Sequence, residues 1–199
     1  IQEIMKPTTG NEKKYDTATF YSISNCQEGL TRVTLGNFLI KRVVYEIQEE
    51  LPNIKNFGTL SPIPGFRDWF TTLDEGIIQN ILGKIPYSTV SFLRSSSLKV
   101  GDGRIVSNKK AIIKLVAHYL MNEKNKKDLP INDVCRFHLG NGAIIEDIVI
   151  NANVSEVGFN RSFGVMVNYL YELKNIEKNH EDYVNNKNII ISDKLKKLI

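Results

Sequence analysis

Two periodicities alternate along this chain, and that alternation confines it to a mixed fold of strands and helices. Residues 17–24 are rich in Thr, Phe, Tyr and Ile with a rough period of two, the pattern of a strand. From Phe38 onward Leu39, Val43, Val44, Ile47 and Leu51 recur at helical spacing, and Pro52 marks the stop. Residues 57–60 are short and apolar, which reads as a buried strand ending at Ser61. Two short helices are expected over 65–83, then a polar connection containing glycine over 95–108. A helix over 110–124 places Ile112, Ile113, Val116, Tyr119 and Leu120 on one face. Residues 143–150 and 164–173 are apolar and β-branched or aromatic, hence strands, with a short helix at 155–161 between them. The charged stretch 175–188 is partly helical by pattern, and Ser192 can cap a last helix running to Leu198. Residues 1–16, polar and broken by Pro7 and Gly10, read as a helical stub and a linker. The class is therefore α/β or α+β.

Length and composition narrow the partners. A chain of 199 residues with 42% hydrophobic content is one domain with a real core. Its lysines are scattered or gathered near 122–127 and 194–197, and the net charge of +4 is mild. Nucleic acid is a poor fit, since a binding face needs clustered Lys and Arg beside groove-reading or stacking residues. A polyphosphate ligand would still welcome the modest positive field. Cys26 and Cys135 stand far apart without metal-ligand spacing, so neither a disulfide scaffold nor a metal site is expected, and a reducing intracellular compartment is the default. No run approaches the ~18 apolar residues that a membrane span needs, and no signal-peptide pattern opens the sequence.

Two unusual strings carry reactive side chains: FGTLSPIPGF at 57–66 with Ser61, and RFHLGNGA at 136–143 with His138. A proline-stiffened turn and a Gly140-Asn141-Gly142 bend imply backbones outside ordinary strand or helix interior. Taken singly, each string also reads as a tight turn or as a packed histidine. Between the first strand and the first long helix lies Thr31-Arg32-Val33-Thr34-Leu35-Gly36-Asn37. A loop that leads into a helix N-terminus can hold an anion, because unpaired backbone N–H groups and the positive dipole end point the same way.

Together with FYSISNCQEGL at 20–30, LGNFLIKRVV at 35–44 and SFGVMVNYLYEL at 162–173, these strings resemble the malonyl-CoA decarboxylase family. Their order and spacing match over about residues 17–199, least well between Arg67 and Lys109. The resemblance implies an acetyltransferase-like mixed sheet flanked by helices and lacking its first strands. Residues 1–199 would form part of a single catalytic domain, with a helical N-terminal domain upstream that is absent from this chain and through which a homo-oligomer could form. It implies decarboxylation of malonyl-CoA to acetyl-CoA and carbon dioxide in fatty-acid metabolism. No metal and no cofactor is implied beyond the CoA of the substrate. Ser61 and His138 are the implied catalytic residues, with Tyr171 lining the site; Tyr169, two residues away on the same strand face, could serve instead.

His138 is then the expected proton donor to C2 of the substrate, since histidine titrates near neutrality. Ser61 would hydrogen-bond the malonyl carboxylate or the thioester oxygen. Asn141 is a further donor or a shaper of its loop. Thr31, Arg32, Val33, Thr34, Leu35, Gly36 and Asn37 would hold the CoA diphosphate, although Thr31 and Thr34 depart from the superfamily pattern. His118 is expected at the edge of a buried helix face and His180 in solvent. The peroxisomal Ser-Lys-Leu ending of some family members is replaced here by Lys-Leu-Ile. Two rivals remain open at this point: an acetyltransferase acting on an amine, and a truncated CoA-binding module without turnover.

Overall fold

In the computed structural model, residues 15–21 and 36–199 are described, with only the backbone of 36–39 included. Four strands, β1 (Thr17–Phe20), β2 (Asn56–Pro62), β3 (Ile144–Val149) and β4 (Met166–Tyr171), form one mixed sheet in the order β1-β2-β4-β3. β1 and β2 are parallel, joined by a crossover that contains helix α1 (Gly36–Glu50), while β4 pairs antiparallel with both β2 and β3. The parallel ladder ends at Phe20↔Thr59. Leu60, Ser61 and Pro62 continue past it and, among the described residues, pair only with β4. A wedge therefore opens at the carboxyl ends of two parallel strands, the position where α/β sheets receive ligands.

The pleat sorts residues between the two sheet faces. Phe57, Thr59 and Ser61 of β2 pair with Tyr171, Tyr169 and Val167 of β4, and all six side chains are buried. They share the core face because side chains alternate along a strand. Helices α5 (Lys109–Met121) and α6 (Asp133–Gly140) pack against β3 on the core side. Eight of the thirteen α5 residues are buried, so this helix sits deep in the core instead of presenting one stripe. The outer face, including Thr17, Gly58, Leu60, Asn168 and Leu170, borders a concavity of about 1000 Å³.

The remaining helices are α2 (Phe66–Thr72), α3 (Glu75–Leu82), α4 (Gly103–Ser107), α7 (Glu156–Ser162), α8 (Ile176–Asn186) and α9 (Asp193–Lys196). Ser155 and Ser192 cap α7 and α9 by accepting from Gly158 N and Leu195 N. Three expectations need correction. Ser61 lies within β2, not on a turn after it; Pro62 occupies the last pair of the ladder, where one missing donor is tolerated. His138 lies in the last turn of α6, not in a loop. The connection over 95–108 contains α4, started by Asp102, whose carboxylate accepts from Arg104 N. The expected stub and linker at 1–16 fall almost wholly outside the described residues, as do 22–24 of the first strand. Among the described residues no helix is long and apolar enough to cross a membrane.

Candidate active site

Ser61, His138 and Tyr171 come from three separate elements and meet on the core face of the sheet. Ser61 Oγ lies 2.9 Å from His138 Nε2, and His138 Nδ1 lies 2.7 Å from the Tyr171 hydroxyl. Ser61 Oγ also lies 3.0 Å from Thr59 Oγ1. All four residues are buried, yet Ser61 and His138 line a cleft of about 310 Å³. Phe20, Tyr21, Leu60 and Pro62 form its strand side, and Asp133, Val134 and Phe137 of α6 form the other. The cleft is the wedge left where β1 stops and β2 goes on.

Local sequence explains why the pair is held so firmly. After Pro62, Ile63 is fully buried, and the Pro64 carbonyl accepts from both the Tyr119 hydroxyl and Asn132 Nδ2, each at 3.0 Å. Gly65 follows with φ of 80°, and a Cβ there would stand 2.8 Å from the Tyr119 hydroxyl, so only glycine fits. Asn132 does a second job: its Oδ1 accepts from Cys135 N at 2.8 Å as the N-cap of α6. One amide side chain thus ties the Ser61 loop to the start of the helix that carries His138.

The far end of α6 is clasped by α8. Gly142, with φ of 80°, closes α6 as a left-handed C′ residue, and a Cβ on it would collide with the Ile176 carbonyl. Asn179 Nδ2 donates to the Gly142 carbonyl at 3.2 Å, and His180 Nδ1 lies 2.6 Å from the Gly140 carbonyl. His180 is therefore partly buried and docks α8 on α6, in contrast to the solvated residue expected. The Gly-Asn-Gly bend is thus held at both of its glycines. Asn141 is fully buried and donates to the Phe137 carbonyl at 2.6 Å, which makes it a shaper of the turn. His118 is half-buried, 3.5 Å from Glu123 and stacked on Trp69, as a structural histidine.

The electrostatics follow from burial. Desolvation alone pushes the His138 imidazolium down to about 3, so the ring is neutral at pH 7. This corrects the expectation of a histidine titrating near neutrality. Desolvation also holds the Tyr171 phenol well above its ordinary range, so it stays protonated. Tyr169 does not join the hydrogen-bonded chain; its ring stacks on His138 at 4.3 Å between centroids and 21° between planes. Of the two tyrosines, geometry selects Tyr171. A ring proton on Nε2 is directed at Ser61 with the phenol donating to Nδ1, and the other tautomer reverses both bonds. The third partner behind His138 is thus a neutral phenol where a hydrolase triad has a carboxylate.

Thr59 and Asn132 escaped the sequence reading. Thr59 stands two residues before Ser61, so strand periodicity alone places it on the same face. Asn132 stands one residue before an acidic first turn and ten before Gly142, the start and stop signals of a short helix. Of the expected diphosphate loop, Thr31, Arg32, Val33, Thr34 and Leu35 lie outside the described residues. Gly36 and Asn37 open α1. Among the described residues no group of three or more His, Cys, Asp or Glu could hold a metal ion.

Known proteins give the site a context. The family model described as the malonyl-CoA decarboxylase C-terminal domain matches residues 1–199. Mitochondrial malonyl-CoA decarboxylase of Anser anser anser is 36% identical over 217 residues, covering 98% of this chain and 43% of that protein. The Rattus norvegicus protein of the same name is 36% identical over 221 residues, covering 100% and 45%. The crystal structure of malonyl-CoA decarboxylase from Rhodopseudomonas palustris superposes with a TM-score of 0.83 at 38% identity, over 94% of this chain and 43% of that one. The Agrobacterium vitis structure gives 0.80 at 37% identity, over 92% and 45%. This chain spans a little under half the length of the curated relatives it matches.

Proposed function

The chain belongs to the malonyl-CoA decarboxylase family, and from that premise we propose that it converts malonyl-CoA to acetyl-CoA and carbon dioxide. The observation that carries the proposal is the Ser61–His138–Tyr171 chain at the floor of the cleft, with links of 2.9 and 2.7 Å. The bond from C2 to the malonyl carboxylate breaks, and its electron pair moves onto the thioester as an enolate. Carbon dioxide leaves, and C2 then takes a proton. Ser61 O–H and the polarised His138 Nε2–H are fixed donors beside the space where that charge develops, in a site with little water, which is where such donors count most.

The proton balance gives His138 its role. Each turnover consumes one proton, because an anionic carboxylate departs as neutral carbon dioxide. Ser61, Tyr171 and Tyr169 around His138 are all neutral, so desolvation keeps the imidazolium from forming. A malonyl carboxylate bound ~4 Å away supplies the missing counter-charge, worth about 4 kcal/mol at an effective dielectric near 20, or about 3 units of pKa. Substrate binding thus loads His138 with the proton that C2 receives. The thioester's CoA moiety extends from the cleft, with its diphosphate at residues 31–37 where α1 begins.

Carbon dioxide release from malonyl-CoA by the purified protein is the test. Ser61→Ala and His138→Ala should each lower kcat by about 10²-fold or more with CoA affinity by calorimetry nearly unchanged, since the lost contacts act mainly in the transition state. Acetyl transfer to an amine, assayed on the same samples, should be absent. Wild-type protein that releases no carbon dioxide, or a Ser61→Ala variant with wild-type turnover, overturns the proposal.

A further inference from the structure

Thr59, Ser61, His138 and Tyr171 form an unbranched chain with links of 3.0, 2.9 and 2.7 Å. A neutral imidazole brings one N–H and each hydroxyl one O–H, so the chain holds one hydrogen more than it has links. Three fully bonded arrangements exist, because the Ser61 oxygen can accept from both neighbours. In one, Tyr171 donates to Nδ1, Nε2–H donates to Ser61, Ser61 donates to Thr59, and the spare hydrogen is on Thr59. In a second, Thr59 donates to Ser61 instead and the spare hydrogen is on Ser61; in the third every bond is reversed and it is on the Tyr171 phenol. Tyr171 is 1% exposed, and its hydroxyl has His138 as its one hydrogen-bond partner among the described residues. Both alternatives need Thr59 to donate to Ser61, whereas in the structure Ser61 Oγ is the donor to Thr59 Oγ1. The first arrangement is therefore the one that agrees with the Ser61–Thr59 geometry.

We propose that Thr59 is a positioning residue that sets the direction of the Ser61–His138 hydrogen bond: by accepting the Ser61 hydrogen, it leaves Nε2 of His138 as the donor and Nδ1 as the acceptor of Tyr171. As to its effect on turnover, the proposal rests on the decarboxylase reading. Thr59 also keeps the Ser61 hydroxyl in one rotamer, to be released when a substrate oxygen enters the cleft and offers a better acceptor. A methyl group in place of the Thr59 hydroxyl would pack equally well and do neither. That contrast makes Thr59→Val, which keeps the shape and removes the acceptor, the informative change.

The direct readout is the ¹⁵N spectrum of ring-labelled protein, with His138 assigned by its absence in His138→Gln. Wild type should show the Nε2–H tautomer, Thr59→Ser should match it, and Thr59→Val should raise the share of Nδ1–H, because the Ser61 hydrogen is then free to turn to Nε2. In carbon dioxide release, Thr59→Val should lower kcat about tenfold, the scale of one neutral hydrogen bond, with KM for malonyl-CoA within about twofold. Thr59→Ser should restore the rate, and Thr59→Val added to Ser61→Ala should cost nothing further. A wild-type Nδ1–H tautomer, an unchanged tautomer in Thr59→Val, or additive losses in the double variant would each overturn the role of Thr59. A wild-type Nδ1–H tautomer overturns the role of Thr59 even where Thr59→Val fails to fold. Absence of carbon dioxide release from wild type would sink the decarboxylase reading alone and leave the tautomer test standing.

Discussion

Acidification should destabilise this fold through His138 in a way one substitution can isolate. An unfolded chain carries an ordinary histidine near 6.5, whereas burial lowers His138 to about 3 in the folded state. Between those values the unfolded chain binds a proton that the folded one refuses, so stability is complete above about 6.5 and is lost as the pH falls. The slope from this one group approaches about 1.4 kcal/mol per pH unit, giving a loss of about 3 kcal/mol by pH 4.5. Set against the 5–15 kcal/mol typical of a domain, that loss is measurable. The assay is urea unfolding at a series of pH values for wild type and for His138→Gln, which cannot take up the proton. Glu146, whose carboxyl is raised by burial and by the neighbouring Asp147 charge, contributes with the opposite sign, but equally in both proteins. The difference in stability between the two should shrink or reverse in favour of the variant by about 3 kcal/mol from pH 7 to 4.5. A constant difference across that range would show that folded His138 titrates like a free histidine, and the desolvation argument would fail.

Two further outcomes follow from the packing around α6. Gly142→Ala places a methyl group on the Ile176 carbonyl at a positive φ, so the variant should lose about 3 kcal/mol or more, or fail to accumulate as folded protein, as judged by its thermal midpoint. Cys135 is buried, and desolvation pushes its thiol up to about 12, so it should resist iodoacetamide in native protein and react once urea unfolds the chain, as read by peptide mass mapping.

Most of the architecture was legible in the sequence because the long elements carry strong periods. The helices over 36–50 and 109–121 and the strands around Phe57, Ile144 and Met166 appear within a few residues of where spacing puts them. What failed failed for identifiable reasons. The prolines at 62 and 64 suggested a turn beginning at Ser61, but the ladder runs one pair further and ends on a proline at the cost of one donor. The glycines at 140 and 142 outweighed the eight-residue helix before them, whose start signal at Asn132 was present and unused. The candidate site was readable only by resemblance: no local rule brings Ser61, His138 and Tyr171 together, and no sequence pattern says that His138 would be neutral. Burial, which sets that charge state, is a property of the assembled core.

The three residues of the site are separated by 77 and 33 positions along the chain, and β2 reaches its antiparallel partner only after more than a hundred residues have passed. Loop-closure entropy must be met before such distant pairings repay it, so the central β2–β4 ladder forms late in folding relative to a local unit such as α5. No single strand or helix holds two of the three groups. A partly folded chain, however much helix it contains, therefore has no site at all, and the hydrogen-bonded chain through His138 becomes a reporter of complete folding. Activity recovered during refolding should lag helix formation and coincide with the final, slowest phase.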